Sequence, residues 1–235
     1  MSRTPAALLA LTALVIAPRL ASAQDTEKSR TVAGGGISVA GWSGVVDPKE
    51  AAAGLKLEDA KFASAGKDIA VTTGPATTYW NSKTTLKGNY TVTATFKEAK
   101  YMNLNSHPHP YGIVIAGNDM GTANGSYLYC AAYGNGNFIV RGFGPTPFQM
   151  NGPRGGMDPA VNKAAGKGEP VEQTIAMSVD GDKVECSING KVVASYAKAD
   201  LVTAGKLKST DGMYGVRFAH NTEGMVTGLT VTTKK

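Results

Sequence analysis

The sequence predicts an all-β fold, an antiparallel β-sandwich or barrel. Three observations carry that expectation. Apolar and polar residues alternate with period two in one segment after another. Turn signals of the Asn-Gly type separate these segments. A composition rich in glycine, threonine and valine, with 29 glycines in 235 residues, suits strands and tight turns.

The elements follow in chain order. Pro48–Gly54 reads as one short helical turn, because proline is favoured where a helix starts. Tyr90, Val92, Ala94 and Phe96 alternate with Thr91, Thr93 and Thr95 as one strand. Tyr111, Ile113 and Ile115 mark the next. Gly134-Asn135-Gly136 turns Tyr127–Tyr133 into Asn137–Arg141. Ile175, Met177 and Val179 lead through Asp180-Gly181-Asp182 into Lys183–Ile188. Asn189-Gly190 then turns into Lys191–Tyr196, since both turn positions need positive φ. Gly212–Ala219 and Met225–Thr233 are the last strands. Met157–Ala165 reads as a second short helix. Residues 142–170 break the rhythm with glycine and proline, and a loop of that length in a compact domain points to function or mobility.

The N-terminus reads as an export signal. Arg3 supplies the charge, Ala6–Ala17 the apolar run, and Ala21-Ser22-Ala23 the small residues ahead of a cleavage before Gln24. The chain thus divides into a signal peptide over residues 1–23, a flexible tether over 24–35 and one sandwich domain over 36–235. The expected location is exported, either periplasmic or secreted. Losing Arg3 and Arg19 lowers the net charge of +6 by two. The remaining lysines are scattered, which argues against a nucleic-acid groove. No long apolar run in the body suggests a membrane span. Cys130 and Cys186 both sit on core-facing positions of strand-like runs. An oxidising compartment permits a bridge between them, and two buried thiols are the other reading.

Further residues carry a resemblance. They are Gly74-Pro75-Ala76, Tyr79-Trp80-Asn81, Gly88–Val92, His107-Pro108, Tyr111-Gly112-Ile113, Ala116–Asp119, Tyr127-Leu128-Tyr129, Gly136–Val140, Ile188–Val192, Gly215-Val216-Arg217 and His220-Asn221. In these the chain resembles exported bacterial proteins with a concanavalin A-like lectin/glucanase domain, a LamG-like jelly roll. The likeness spans roughly residues 36–233. It implies a jelly roll whose first and last strands, near Ile37–Trp42 and Leu229–Thr233, lie side by side. It fixes no activity, because related sandwiches bind sugars, cleave them or bind proteins.

Catalytic chemistry is poorly supported. The Glu-x-Asp-x-x-Glu strand of glucanases with this fold is absent, as are a Gly-x-Ser-x-Gly elbow and nucleotide fingerprints. Asp180, Asp182 and Glu185 cluster only on a turn and its exit. No catalytic residue is assigned. Sugar binding needs aromatic platforms beside amide or hydroxyl hydrogen-bonders. Tyr127, Tyr129 and Tyr133 share one strand face, with Tyr111 and Arg141 on neighbouring strands and Trp80 and Asn81 elsewhere. Those seven residues form the candidate ligand site, with core packing the competing fate for Trp80. His107 and His109, flanked by Met102 and Met120, form a candidate copper site, against a plain proline-stiffened loop. Asn118-Asp119 is a weaker place for calcium. The function these residues favour is non-catalytic glycan binding on a sheet face. A hydrolase or lyase acting on a sugar derivative and a protein-interaction or structural module are the alternatives. Oligomeric state is left open.

Overall fold

The computed structural model describes residues 27–153 and 155–234. The expected signal peptide lies outside the described residues. The strands are β1 (Gly36–Ile37), β2 (Trp42–Val46), β3 (Lys61–Ala65), β4 (Asp68–Thr72), β5 (Thr77–Leu86), β6 (Asn89–Glu98), β7 (Tyr111–Asn118) and β8 (Ser126–Ala132). They continue as β9 (Asn137–Phe143), β10 (Phe148–Gln149), β11 (Gly156–Met157), β12 (Val171–Asp180), β13 (Lys183–Ile188), β14 (Lys191–Ala197), β15 (Gly212–Phe218) and β16 (Glu223–Lys234). Two helical turns, α1 (Pro48–Ala52) and α2 (Lys198–Leu201), sit between strands.

The strands form two sheets. One runs β1-β3-β4-β16-β6-β12-β13-β14; the other runs β10-β9-β8-β7-β15-β5-β2, with β11 also paired to β9. Among the strand pairs of the described residues, only the short β1–β3 pair is parallel. This is the all-β fold that the alternation predicts and the jelly-roll sandwich that the resemblance implies. The hairpins form at the expected turns: Asn189 and Gly190 both have positive φ, as a tight turn between β13 and β14 requires.

Period-two alternation sorts the second sheet into two faces. Leu128, Cys130 and Ala132 of β8 enter the main core with Ile113, Val216, Phe218 and the first sheet's Phe96, Ile175 and Met177. The other face carries Tyr127, Tyr129 and Ala131, joined by Val114 and Ile139 in a separate cluster. A disulfide joins Cys130 on β8 to Cys186 on β13, with Cα atoms 6.1 Å apart. It therefore ties the two sheets through the core, and of the two readings of these cysteines the structure takes the bridge.

Four expectations need correction. The first and last strands are not neighbours: β16 lies between β4 and β6, and β2 pairs with β5 in the other sheet. Residues 157–165 form no helix, because β11 and turns occupy them. The Gly/Pro-rich stretch is fastened along β9 by β10 and β11, and Asn151 bonds the backbone of Val140 and Phe138. Over its described part the expected tether is also attached. The Arg30 amide donates to Asn221 Oδ1, Asn221 Nδ2 donates to the Lys28 carbonyl, and the Val32 amide to Asp59. Gly74 makes room for this segment: a Cβ there would stand 1.8 Å from the Arg30 carbonyl oxygen.

Candidate functional site

β2 and β15 end, and β5, β7 and β9 begin, along one end of the second sheet. Side chains from these termini and their loops meet over the outer face, where a cleft of about 840 Å³ opens. Tyr129, Tyr133, Ile139, Arg141 and Arg217 come from the sheet and its margin. Asp47, Glu50 and Pro147 come from α1 and the loops, and His107, His109 and His220 close one side.

Strand register explains the polar centre of this face. Arg217 pairs with Thr78 on one side and Gly112 on the other, and Val45 pairs with Thr78 from the far side of β5. Asp47, two residues beyond Val45, comes within reach of Arg217. The guanidinium donates to both Asp47 carboxylate oxygens at 2.6 and 2.5 Å and to Thr78 Oγ1 at 2.9 Å. Its carbon stands 4.9 Å from the Tyr129 ring centre and 5.2 Å from that of Phe143. Arg217 is only 7% exposed. Burial works to lower its pKa, but the Asp47 charge and the Tyr129 and Tyr127 rings outweigh this and hold it well above its ordinary value.

The structure brings some predicted site residues together and separates others. Tyr129, Tyr133 and Arg141 line the cleft, with Asn135 and Asn137 beside them. Tyr129 faces Arg141 directly across β8–β9. Arg141 also stands over the Phe143 ring at 5.7 Å. Burial raises the Tyr133 hydroxyl to about 12. Tyr127 supports the floor rather than offering an open platform: it is 6% exposed, stacks on Phe143 and shares a hydrogen bond with Thr78. Tyr111 points to the opposite face, into the main core against Phe96, because its place in β7 matches Ile113 rather than Val114. Trp80 is buried on the outer face near Gly121, toward the β7–β8 loop, away from the histidine side of the cleft. Asn81 uses its Oδ1 to accept the Lys83 amide.

The metal candidates fare differently. His107 and His109 meet with Nε2 atoms 2.9 Å apart. A third histidine, His220, joins them, and one ring nitrogen from each lies within 4.8 Å of the others. The Met102 amide donates to Glu98, and Met120 packs on the tyrosine cluster. At the calcium candidate, Lys208 pairs with the Asp119 carboxylate, while Asn118 Nδ2 donates to two backbone carbonyls. A bound lysine opposes a second cation there.

Carboxylates at the cleft are engaged in structure. Asp47 holds Arg217, and Glu50 Oε2 accepts from Ser29 Oγ at 2.6 Å and from the Ala76 amide at 3.1 Å. Sequence reasoning missed Arg217, Asp47, Glu50 and His220 as site residues, because only the strand register brings them together.

Comparison with known proteins places the fold. No protein-family model matches the sequence, and no curated protein matches it. Among solved structures, the chain is similar to the carbohydrate-binding module CBM66 from Bacillus subtilis, with a TM-score of 0.52 at 9% identity, covering 84% of this chain and 98% of that one. A Bacillus subtilis protein of unknown function with a galectin-like fold aligns with a TM-score of 0.51 at 12% identity, over 82% of this chain and 89% of that one. An endo-β-1,3-glucanase from Pyrococcus furiosus gives 0.51 at 9% identity, over 86% and 91%. At these identities the likeness is one of fold alone, a two-sheet jelly-roll sandwich.

Proposed function

We propose that the protein binds a carbohydrate, without cleaving it, in the cleft over the outer face of its second sheet. The observation that carries this reading is the cleft itself. It is large enough for a short oligosaccharide and joins a tyrosine ring, Tyr133, to guanidinium and amide donors at Arg141, Asn135 and Asn137. Sugar rings present apolar faces and hydroxyl edges, which suit that pairing. A binding role is favoured over a hydrolytic one because Asp47 and Glu50 are both tied to structural partners. A glycosidase needs two carboxylates flanking one bond. The fold is shared with a carbohydrate-binding module and with a glucanase, so fold alone does not choose between the roles. An extracytoplasmic setting accords with the leader-like N-terminus and the Cys130–Cys186 bridge.

A glycan array and a set of insoluble polysaccharides test the reading. Wild type should retain at least one sugar class, and Tyr133→Ala with Arg141→Ala should weaken that binding by roughly tenfold or more. No retention of any glycan by folded wild type would refute it. Release of reducing sugar from a bound polymer would favour the hydrolytic alternative.

A further inference from the structure

We propose that His107, His109 and His220 bind one divalent first-row transition ion, zinc or copper(II), at the side of the cleft. The chain contains three histidines, and all three converge here. Topology explains why. β7 and β15 are antiparallel with Tyr111 opposite Phe218, and the Ala219 amide continues the ladder by donating to the Pro110 carbonyl. Extending that register by one more residue sets His109 against His220, whose rings stack with centres 4.3 Å apart. His107 lies two residues before His109 on a segment stiffened by Pro108 and Pro110, and its ring meets that of His109 at 85°.

Hydrogen bonding places the ring protons. His109 Nδ1 lies 2.5 Å from the His220 carbonyl, which can only accept, so Nδ1 carries the proton. Ser29 Oγ donates to Glu50 and therefore accepts from His220 Nδ1 at 3.1 Å. His107 Nδ1 lies 3.4 Å from the Glu27 carboxylate and 3.3 Å from Ser106 Oγ, which itself donates to Glu27. At Nε2, His107 and His109 share a hydrogen bond whose proton an incoming ion would displace, and each of the three rings is held at Nδ1 by an oxygen. That is the outer-shell arrangement of metal-bound imidazoles. The 2.9 Å between the His107 and His109 Nε2 atoms approaches the edge of a tetrahedron with metal–nitrogen bonds of about 2.0–2.1 Å. Three neutral imidazoles select zinc or copper(II) over calcium or magnesium. Three protein ligands are what a catalytic or ligand-binding zinc ion typically takes, and all three rings line the cleft. The ion would meet a ligand oxygen or a water there. The metal site does not depend on that ligand being a sugar.

The test uses the full chain without a histidine tag, treated with chelator and dialysed, then titrated calorimetrically with zinc, copper(II) and calcium. One zinc or copper(II) ion per chain, no calcium, and a loss of roughly a hundredfold or more in affinity in His220→Ala are expected. The half-exposed His107→Ala gives a second variant that leaves the buried rings in place. Electron paramagnetic resonance of the copper(II) form should show three nitrogen ligands in wild type and two in His107→Ala. A milder loss, about tenfold, is expected in Ser29→Ala, where Ser29 acts as a positioning residue, with the three-nitrogen signature kept. Failure to bind either ion stoichiometrically would overturn the proposal. So would a copper signal with fewer than three nitrogens, or unchanged affinity in His220→Ala. Sugar binding is scored separately on the metal-free chain, so loss of one reading leaves the other standing.

Discussion

The two faces of β8 make a sharp contrast within seven residues. Inward, Leu128, Cys130 and Ala132 join a core of aliphatic and aromatic side chains and add a covalent link to the other sheet. Outward, Tyr127 and Tyr129 pack around one buried ion pair, Arg217–Asp47, at the base of an open cleft. The inner face draws its stability from many interchangeable contacts. The outer face depends on a few groups that must be satisfied one by one.

The largest expected effect breaks the inner face. Replacing both Cys130 and Cys186 by alanine releases a link across 56 residues of sequence and should cost on the order of 4 kcal/mol by the chain-entropy relation. Chemical denaturation of the variant and wild type measures it, and an unchanged midpoint would show that the bridge adds nothing. On the outer face, Arg217→Met leaves Asp47 in a half-dry site without its cation and should cost about 3 kcal/mol. Adding Asp47→Asn to that variant should recover part of the loss. If the two substitutions were simply additive, the pair would not be coupled.

Glu98 sharpens the comparison from the inner layer. Burial pushes its carboxyl up to about 7, with the Glu223 charge adding to that and the Met102 amide opposing it. Between the ordinary value of 4.5 and about 7 the folded chain holds a proton that the unfolded chain has released. Stability from this group is therefore full below that window and falls as pH rises through it. Glu98→Gln should match wild type near the lower limit and exceed it by roughly 3 kcal/mol at pH 8. Thermal melts at several pH values decide this, and parallel curves for the two proteins would contradict it. The smallest stability effect belongs to the cleft wall. Arg141→Ala should leave folding stability within about 0.5 kcal/mol, since the residue is half-buried at the margin. A larger loss would make Arg141 part of the scaffold.

Much of the fold was legible because alternation is a local property. β13 spans Lys183–Ile188 as the pattern predicts, and the inward side of β8 was readable from Leu128 and Ala132. β3 and β4 carry short, mixed segments and left no comparable signal. The order of strands is not readable from alternation, and the resemblance implies the wrong neighbour for β16. Site residues fared worse for the same reason. The pair His107 and His109 is visible because it is local, whereas His220 joins only through the β7–β15 register. Tyr111, a candidate ligand residue by sequence, lies in the core instead, since a tyrosine alternating with isoleucines fits either an amphipathic platform or a core ring. Arg217 and Asp47, 170 residues apart, gave no sequence signal for their pairing.

Nuclear magnetic resonance mapping of a bound oligosaccharide, chosen from the array, tests the central claim most directly. The account predicts shifts confined to the outer face and its rim, at Tyr129, Tyr133, Asn137 and Arg141, with Leu128, Val140 and the strands β12 to β14 of the other sheet unmoved. Saturable shifts centred on the first sheet, or on the β7–β8 loop beside Trp80, with the cleft undisturbed, would contradict it.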